Sequence, residues 1–236
     1  MFQKVIGAWP THKRFIITSC DAKYFDEYFP RFYKTYSEHW QLPIHVHIID
    51  PTQLSRYRLD RLKLSYSYCK TDNAILKWPY SYETYCQAQR FILLGYNLLH
   101  GQSVTVADVD SYSLRVPSEK QKHLLSSDMA FTEYNGRLMA TFCNFHYARK
   151  TTARQAAIQM QKTIENSDTI GVDQLIIKET FGVLPYNVLK HGEWIRHQDV
   201  KTEQDLEQHN QCLIYHEKGT RGKGKGIKVG WTDIGL

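Results

Sequence analysis

Two carboxylates one residue apart, Asp108 and Asp110 in Asp108-Val109-Asp110, follow the short β-branched run Ser103-Val104-Thr105-Val106-Ala107. Side chains alternate along a strand, so both acids are expected on one face and Val109 on the other. In open α/β sheets, sites form beyond the carboxyl ends of the strands, where this run would deliver the pair. Hard oxygen ligands with open positions suit Mn²⁺, with Mg²⁺ as the alternative, and either ion bridges readily to a diphosphate. Taken alone, D-x-D is also a frequent tripeptide that ends a strand on solvated acids. A companion stands downstream: His216 follows Leu213-Ile214-Tyr215 and opens a basic, glycine-rich segment. Its imidazole is a candidate third ligand, while glycines let backbone N–H groups approach phosphate oxygens and lysines neutralise them. The competing reading is a surface histidine before a basic tail that binds nucleic acid or an acidic partner.

The elements that must position these residues read as an α/β sheet. Residues 14–19 are a β-branched run, Tyr24 to Tyr36 has helical spacing, and Ile44 to Asp50 is a second strand between Pro43 and Pro51. Strand, helix and strand at this spacing open a parallel sheet. Residues 52–80 suggest one or two helices joined by loops. Ser81 is the expected N-cap of a helix running to about Leu99, with Glu83 in its first turn and Gly101 beyond its end. Strands are expected around the Asn135-Gly136 turn within 129–147, a helix from Thr151 to Asn166, and a short one from Val172. The expected whole is one domain over 1–236, a Rossmann-like, mixed but mainly parallel sheet with helices on both faces.

Composition limits the alternatives. The 236 residues are 42% hydrophobic and 23% charged, ordinary globular usage, enriched by 16 Tyr and 10 Phe. The net charge of +6 is concentrated: Lys218, Arg221, Lys223, Lys225 and Lys228 fall within eleven residues free of acids, and elsewhere 25 basic residues face 24 acidic ones. Local phosphate recognition fits that distribution better than a groove tracking a nucleic-acid backbone. Five widely spaced cysteines without a C-x-x-C pair suggest reduced, packed thiols. Phe91 to Leu99 is too short to span a bilayer, and residues 1–10 lack the apolar region of a signal peptide. The expected location is cytoplasmic.

An N-terminal strand ending in small and acidic residues, a tyrosine-and-arginine helix, DxD, Asp-Gln and a late His-x-x-Gly together resemble the retaining GT-A glycosyltransferases. Glycogenin and the bacterial lipooligosaccharide galactosyltransferases are the similar families, over about residues 14 to 228. The resemblance implies that Asp108, Asp110 and His216 bind Mn²⁺, with Asp108 also at the donor, and that Gly219 and Lys223 contact the donor diphosphate. It implies that a basic loop over 217–230 folds over the donor site. Thr18, Ser19 and Asp21 would hold the nucleoside, and Tyr85 and Arg90 lie on the helix that contributes an arginine to the donor. Arg90 reads equally as an ion-pair anchor for that helix. Asp173 and Gln174 match the Asp-Gln facing the transferred sugar, although an acid there also complements a helix dipole. Asn144 looks like the family's acceptor-side asparagine. The chain departs from the family pattern at His146, where glycine is common, and at its late motif, where Gly222 precedes Lys223 and no Pro-Trp follows.

The implied chemistry is transfer of a glycosyl group from a nucleoside diphosphate sugar, with a UDP-sugar expected, to the hydroxyl of a glycan, lipooligosaccharide or other acceptor. Retention is implied by the resemblance, whereas inversion would need a carboxylate base such as Asp173 or Glu133. A hydroxylated nucleic-acid base is a less favoured acceptor. A sugar-phosphate nucleotidyltransferase would share the aspartates and metal but usually carries a glycine-rich turn that Thr18-Ser19-Cys20-Asp21-Ala22 lacks. A non-catalytic nucleic-acid-binding protein using the basic tail is the third reading.

Overall fold

The computed structural model describes residues 5–71, 81–126, 129–134, 136–167, 169, 171–190, 193–197, 212–216 and 229–236. The chain begins with β1 (Ile6–Gly7), β2 (Arg14–Asp21), α1 (Ala22–Trp40) and β3 (Ile44–Ile49), and continues through α2 (Gln53–Leu62), β4 (Ser65–Cys69) and α3 (Ser81–Asn97). Then come β5 (Ser103–Ala107), β6 (Ser111–Ser113), α4 (Glu119–Ser126), β7 (Met129–Tyr134), β8 (Arg137–His146), α5 (Lys150–Asn166) and α6 (Val172–Phe181). The short strands β9 (Asn187–Lys190), β10 (Ile195–His197) and β11 (Ile214–His216) follow.

Eight strands form one sheet in the order β1-β4-β3-β2-β5-β8-β7-β9. The pairs β4/β3, β3/β2, β2/β5 and β7/β9 are parallel, and the other three are antiparallel. The sheet is therefore mixed and mainly parallel, as expected. Buried side chains cover both of its faces. Phe15, Ile17, Val104, Phe131 and Phe145 pack against α3, α5 and α6. Ile16, Val46, Ile48 and Phe142 pack against α1 on the other side. Alternation along β2 thus sends successive residues into two different cores, which a continuous apolar run such as Phe15-Ile16-Ile17 requires. Strand β2 is also where the topology reverses, with β3 and β4 added on one side and β5 on the other. The carboxyl ends of β2 and β5 flank the resulting crevice.

Helix α1 starts where Asp21 accepts a 2.7 Å hydrogen bond from the Tyr24 N–H, a cap that contributes about 1 kcal/mol. It contains Pro30, which has no N–H for the Asp26 carbonyl one turn earlier. The indole Nε1 of Trp231 donates to that carbonyl instead, at 3.1 Å, while its ring packs on Phe25 and Phe29. Helices α3 and α5 approach closely at Gly95, where a Cβ would lie 2.5 Å from the Ala153 carbonyl oxygen.

Two expectations are revised. Residues 52–80 contain one described helix, α2, followed by a strand rather than a second helix, β4; positions 72–80 lie outside the described residues. Strand β4 escapes the usual pattern because Ser67 and Cys69 point inward while Tyr66 and Tyr68 stay half-buried. Its inward polar groups meet histidines of β3: His45 contacts Ser65 and Ser67 at 2.8 and 3.0 Å, and His47 contacts Ser67 at 2.9 Å. Ser81 is the first residue of α3 rather than a cap outside it. Of the Asn135-Gly136 turn, Gly136 is described, with φ +70° between β7 and β8.

Candidate functional site

Strand β5 ends at Ala107, so Asp108, Val109 and Asp110 lie in the turn that leads to β6, and the strand alternation expected for them does not apply. The turn itself brings the carboxylates together. It is closed by Ser111, whose N–H and hydroxyl both donate to the Asp108 carbonyl, at 3.1 and 2.6 Å. The Asp108 N–H donates in turn to the Thr141 carbonyl on β8 at 3.0 Å. His216 arrives through a second, three-stranded sheet in the order β10-β11-β6. Its antiparallel β11/β6 register sets His216 opposite Ser111, one residue after Asp110.

The result is a cluster in which one ligand atom from each of Asp108, Asp110 and His216 lies within 4.8 Å of the others. His216 Nε2 is 3.1 Å from Asp108 Oδ2 and 3.1 Å from Asp110 Oδ1. Burial alone would lower the pKa of His216, but the two carboxylates outweigh it and push it up to about 10. A proton here serves the purpose a metal ion would serve, neutralising two adjacent acids. Two carboxylates and an imidazole, none fully buried, fit a hard or borderline divalent cation with room for further oxygen ligands.

These residues border a cavity of about 650 Å³, within the usual range for small-molecule sites. Five acids line it, Asp21, Glu83, Asp108, Asp110 and Asp173, against Lys23, Arg90 and His216. Acids outnumber bases on the described wall, which favours a cation.

Helix α3 contributes one face to that wall: Tyr82, Glu83, Cys86, Gln87 and Arg90 recur at helical spacing. Arg90 is 4% exposed and anchors two acids, with Nη2 2.5 Å from Asp108 Oδ1 and 3.3 Å from Asp173 Oδ2. Ser19 fixes the helical turn that carries it, donating to the Cys86 carbonyl at 3.0 Å and accepting from the Arg90 N–H at 3.2 Å. At the start of α6, Gly171 adopts φ +70°, and Asp173 and Gln174 face the cavity. Burial holds the Asp173 carboxyl above the usual carboxylate range, against the opposing pull of Arg90. Gln174 Oε1 accepts from the Ala140 N–H at 2.9 Å.

Of the residues singled out in the sequence, Ser19, Asp21, Arg90, Asp108, Asp110, Asp173, Gln174 and His216 border the one cavity. Thr18 does not: it is fully buried in β2, and its hydroxyl has no partner among the described residues. Asn144 is also away from the cavity, buried on β8, where it donates to Ser103 Oγ at 3.0 Å and accepts from Thr105 at 3.2 Å. Tyr85 is buried against Cys69 rather than lining the wall. Gly219, Lys223 and most of the 217–230 segment lie outside the described residues. Lys23, Tyr24, Met139 and Thr141 are cavity residues that sequence reading did not single out. Lys23 and Tyr24 were accessible from their place in the first turn after Asp21, whereas nothing local marks Met139 or Thr141.

No family model matches the chain, and neither does any curated protein. Among solved structures, the chain is similar to the apo structure of the bifunctional glycosyltransferase WbbM, with a TM-score of 0.63 and 13% sequence identity. The match covers 97% of this chain and 50% of that one, so this chain spans half the length of its neighbour. The likeness establishes a shared Rossmann-like α/β fold. No described helix is long and apolar enough to cross a membrane.

Proposed function

We propose that the protein is a metal-dependent glycosyltransferase that moves a sugar from a nucleoside diphosphate sugar, with a UDP-sugar the expected donor, to an acceptor hydroxyl. The observation that carries this reading is the convergence of Asp108, Asp110 and His216 at the rim of a cavity formed at the carboxyl ends of β2 and β5. These three residues would hold Mn²⁺, or Mg²⁺, and a cation bound there supplies the charge that stabilises a departing diphosphate. Ser19 and Asp21 stand at the end of β2, next to the space a nucleoside would take, although their side chains also secure α3 and α1. Gly219 and Lys223, which follow His216 closely in the chain, remain the candidates for the diphosphate, with the 217–230 loop closing over the donor.

Asp173 and Gln174 line the same cavity and would face the sugar. Because Gln174 gives its Oε1 to the Ala140 N–H, its amide hydrogens are left to donate to a sugar hydroxyl. Transfer with retention follows from the family resemblance. The acceptor is a glycan, lipooligosaccharide or other hydroxyl compound. Asn144 is dropped from the acceptor side, because its side chain is spent on Ser103 and Thr105.

The test is release of UDP from UDP-sugars with and without Mn²⁺. Release that requires the ion, and that falls about a hundredfold or more in Asp110→Asn, is the expected result. Pyrophosphate exchange with a sugar 1-phosphate would instead identify a nucleotidyltransferase, and undiminished activity in Asp110→Asn would overturn the assignment of the metal ligands. The anomeric configuration of the product, read by NMR, decides between retention and inversion.

A further inference from the structure

Resting on the reading of Asp108, Asp110 and His216 as cation ligands, the geometry points to Arg90 as the positioning residue that limits Asp108 to one ligand oxygen and thereby sets which ion the site prefers. The two oxygens of Asp108 are divided between neighbours. Oδ1 lies 2.5 Å from Arg90 Nη2, whereas Oδ2 faces His216 Nε2 at 3.1 Å. An oxygen engaged by a guanidinium at that distance has given its charge to a hydrogen bond, and a cation gains little from approaching the same atom.

Arg90 is held where it is. Its side chain is 4% exposed, so solvent screens the contact weakly. Its backbone N–H is fixed by Ser19, and Nη2 also reaches Asp173 Oδ2 at 3.3 Å and the Ala140 carbonyl at 3.5 Å. Swinging away from Asp108 would leave that carboxylate without its counter-charge and move the guanidinium off Asp173. The site therefore offers one oxygen of Asp108, a carboxylate oxygen of Asp110 and one imidazole nitrogen.

With Asp108 held to one oxygen, the cluster keeps open positions that suit Mn²⁺ or Mg²⁺, which complete an octahedron with water or phosphate oxygens. Ca²⁺ draws on more oxygens and readily takes both from one carboxylate. Without Arg90, Asp108 is free to close on an ion with both oxygens, and the balance moves toward Ca²⁺.

The experiment reads Mn²⁺ binding to the full chain by its EPR signal, with Ca²⁺ added as competitor. No activity is needed. Arg90→Gln is expected to narrow the preference for Mn²⁺ over Ca²⁺ by about tenfold. Arg90→Lys, which still presents a charged donor, is expected to stay nearer the wild type. Asp173→Asn keeps Arg90 on Asp108 and is expected to leave the ratio unchanged. An unchanged ratio in folded Arg90→Gln overturns the inference, as does a shift of similar size but opposite direction in Asp173→Asn, which would trace selectivity to the charge of the cluster. Should Arg90→Gln fail to fold, the crystal structure of the Mn²⁺-loaded wild type decides. Asp108 bound through one oxygen with Oδ1 on Arg90 supports the inference, and both oxygens on the ion overturn it. A wild type that binds no Mn²⁺ overturns the cation reading itself.

Discussion

His45 and His47 project from β3 into hydroxyl and thiol partners, and the second reaches Cys69 Sγ at 3.3 Å. Burial lowers His45 to about 4, and burial with the neighbouring His45 lowers His47 to about 3. An unfolded histidine takes up a proton near pH 6.5, so below that value the unfolded chain is protonated where the folded chain is not. The stability these residues give is whole above pH 6.5 and declines as the pH falls toward 4 and then 3. Each histidine contributes a slope of roughly 1.4 kcal/mol per pH unit in that window. Urea unfolding of His47→Gln between pH 6 and 4 is therefore expected to show a shallower pH dependence than the wild type, and parallel slopes would count against it. At the same scale, the acids and imidazole of the candidate metal centre were legible from residue type and order alone. The cause of their convergence was not, because a turn and a strand end look alike over three residues. Thr18 and Asn144 show the opposite failure: a family position carries a role with it but says nothing about whether the side chain is buried.

Helix α3 owes its position to a missing side chain. At Gly95 a methyl group would meet the Ala153 carbonyl oxygen at 2.5 Å and the Ala157 Cβ at 2.6 Å, both on α5. Backbone atoms cannot yield as a flexible side chain would. Gly95→Ala is expected to cost about 2–3 kcal/mol in denaturant unfolding, even though alanine is the better helix former. Because Arg90 sits on the same helix, metal affinity in this variant should fall as well if α3 shifts. Elements with one strong period were readable in advance: α1, α3, α5 and the strands β2, β3 and β5. Strand β4 was missed because its buried face is hydroxyl and thiol, matched to histidines on its neighbour, so hydrophobicity does not alternate along it. The three-residue strands β6, β10 and β11 are too short to show any period.

Across the molecule, the least legible features are those that join distant parts of the chain. The β6/β11 pairing sets residue 216 beside residue 111, and local periodicity holds no record of it. The Trp231 contact with α1 is of the same kind. Trp231→Phe keeps most of the ring packing but removes the indole donor to the Asp26 carbonyl, with an expected loss of about 1 kcal/mol. In a Pro30→Ala background the restored helical N–H can serve that carbonyl, so the same substitution should cost less. A double-mutant cycle with a coupling of about 0.5 kcal/mol or more is the expected outcome, and strict additivity would refute it.

The bond between Trp231 and Asp26 spans 205 residues of sequence. The donor for an early carbonyl of α1 thus arrives only when a contact of very long sequence separation has closed, and loops of that length close late in folding. When the segment around Trp231 lifts away, the Asp26 carbonyl loses its donor within a turn and a half of Asp21 and Tyr24 on the cavity wall. Opening at one end of the chain should therefore register as faster amide exchange at the start of α1.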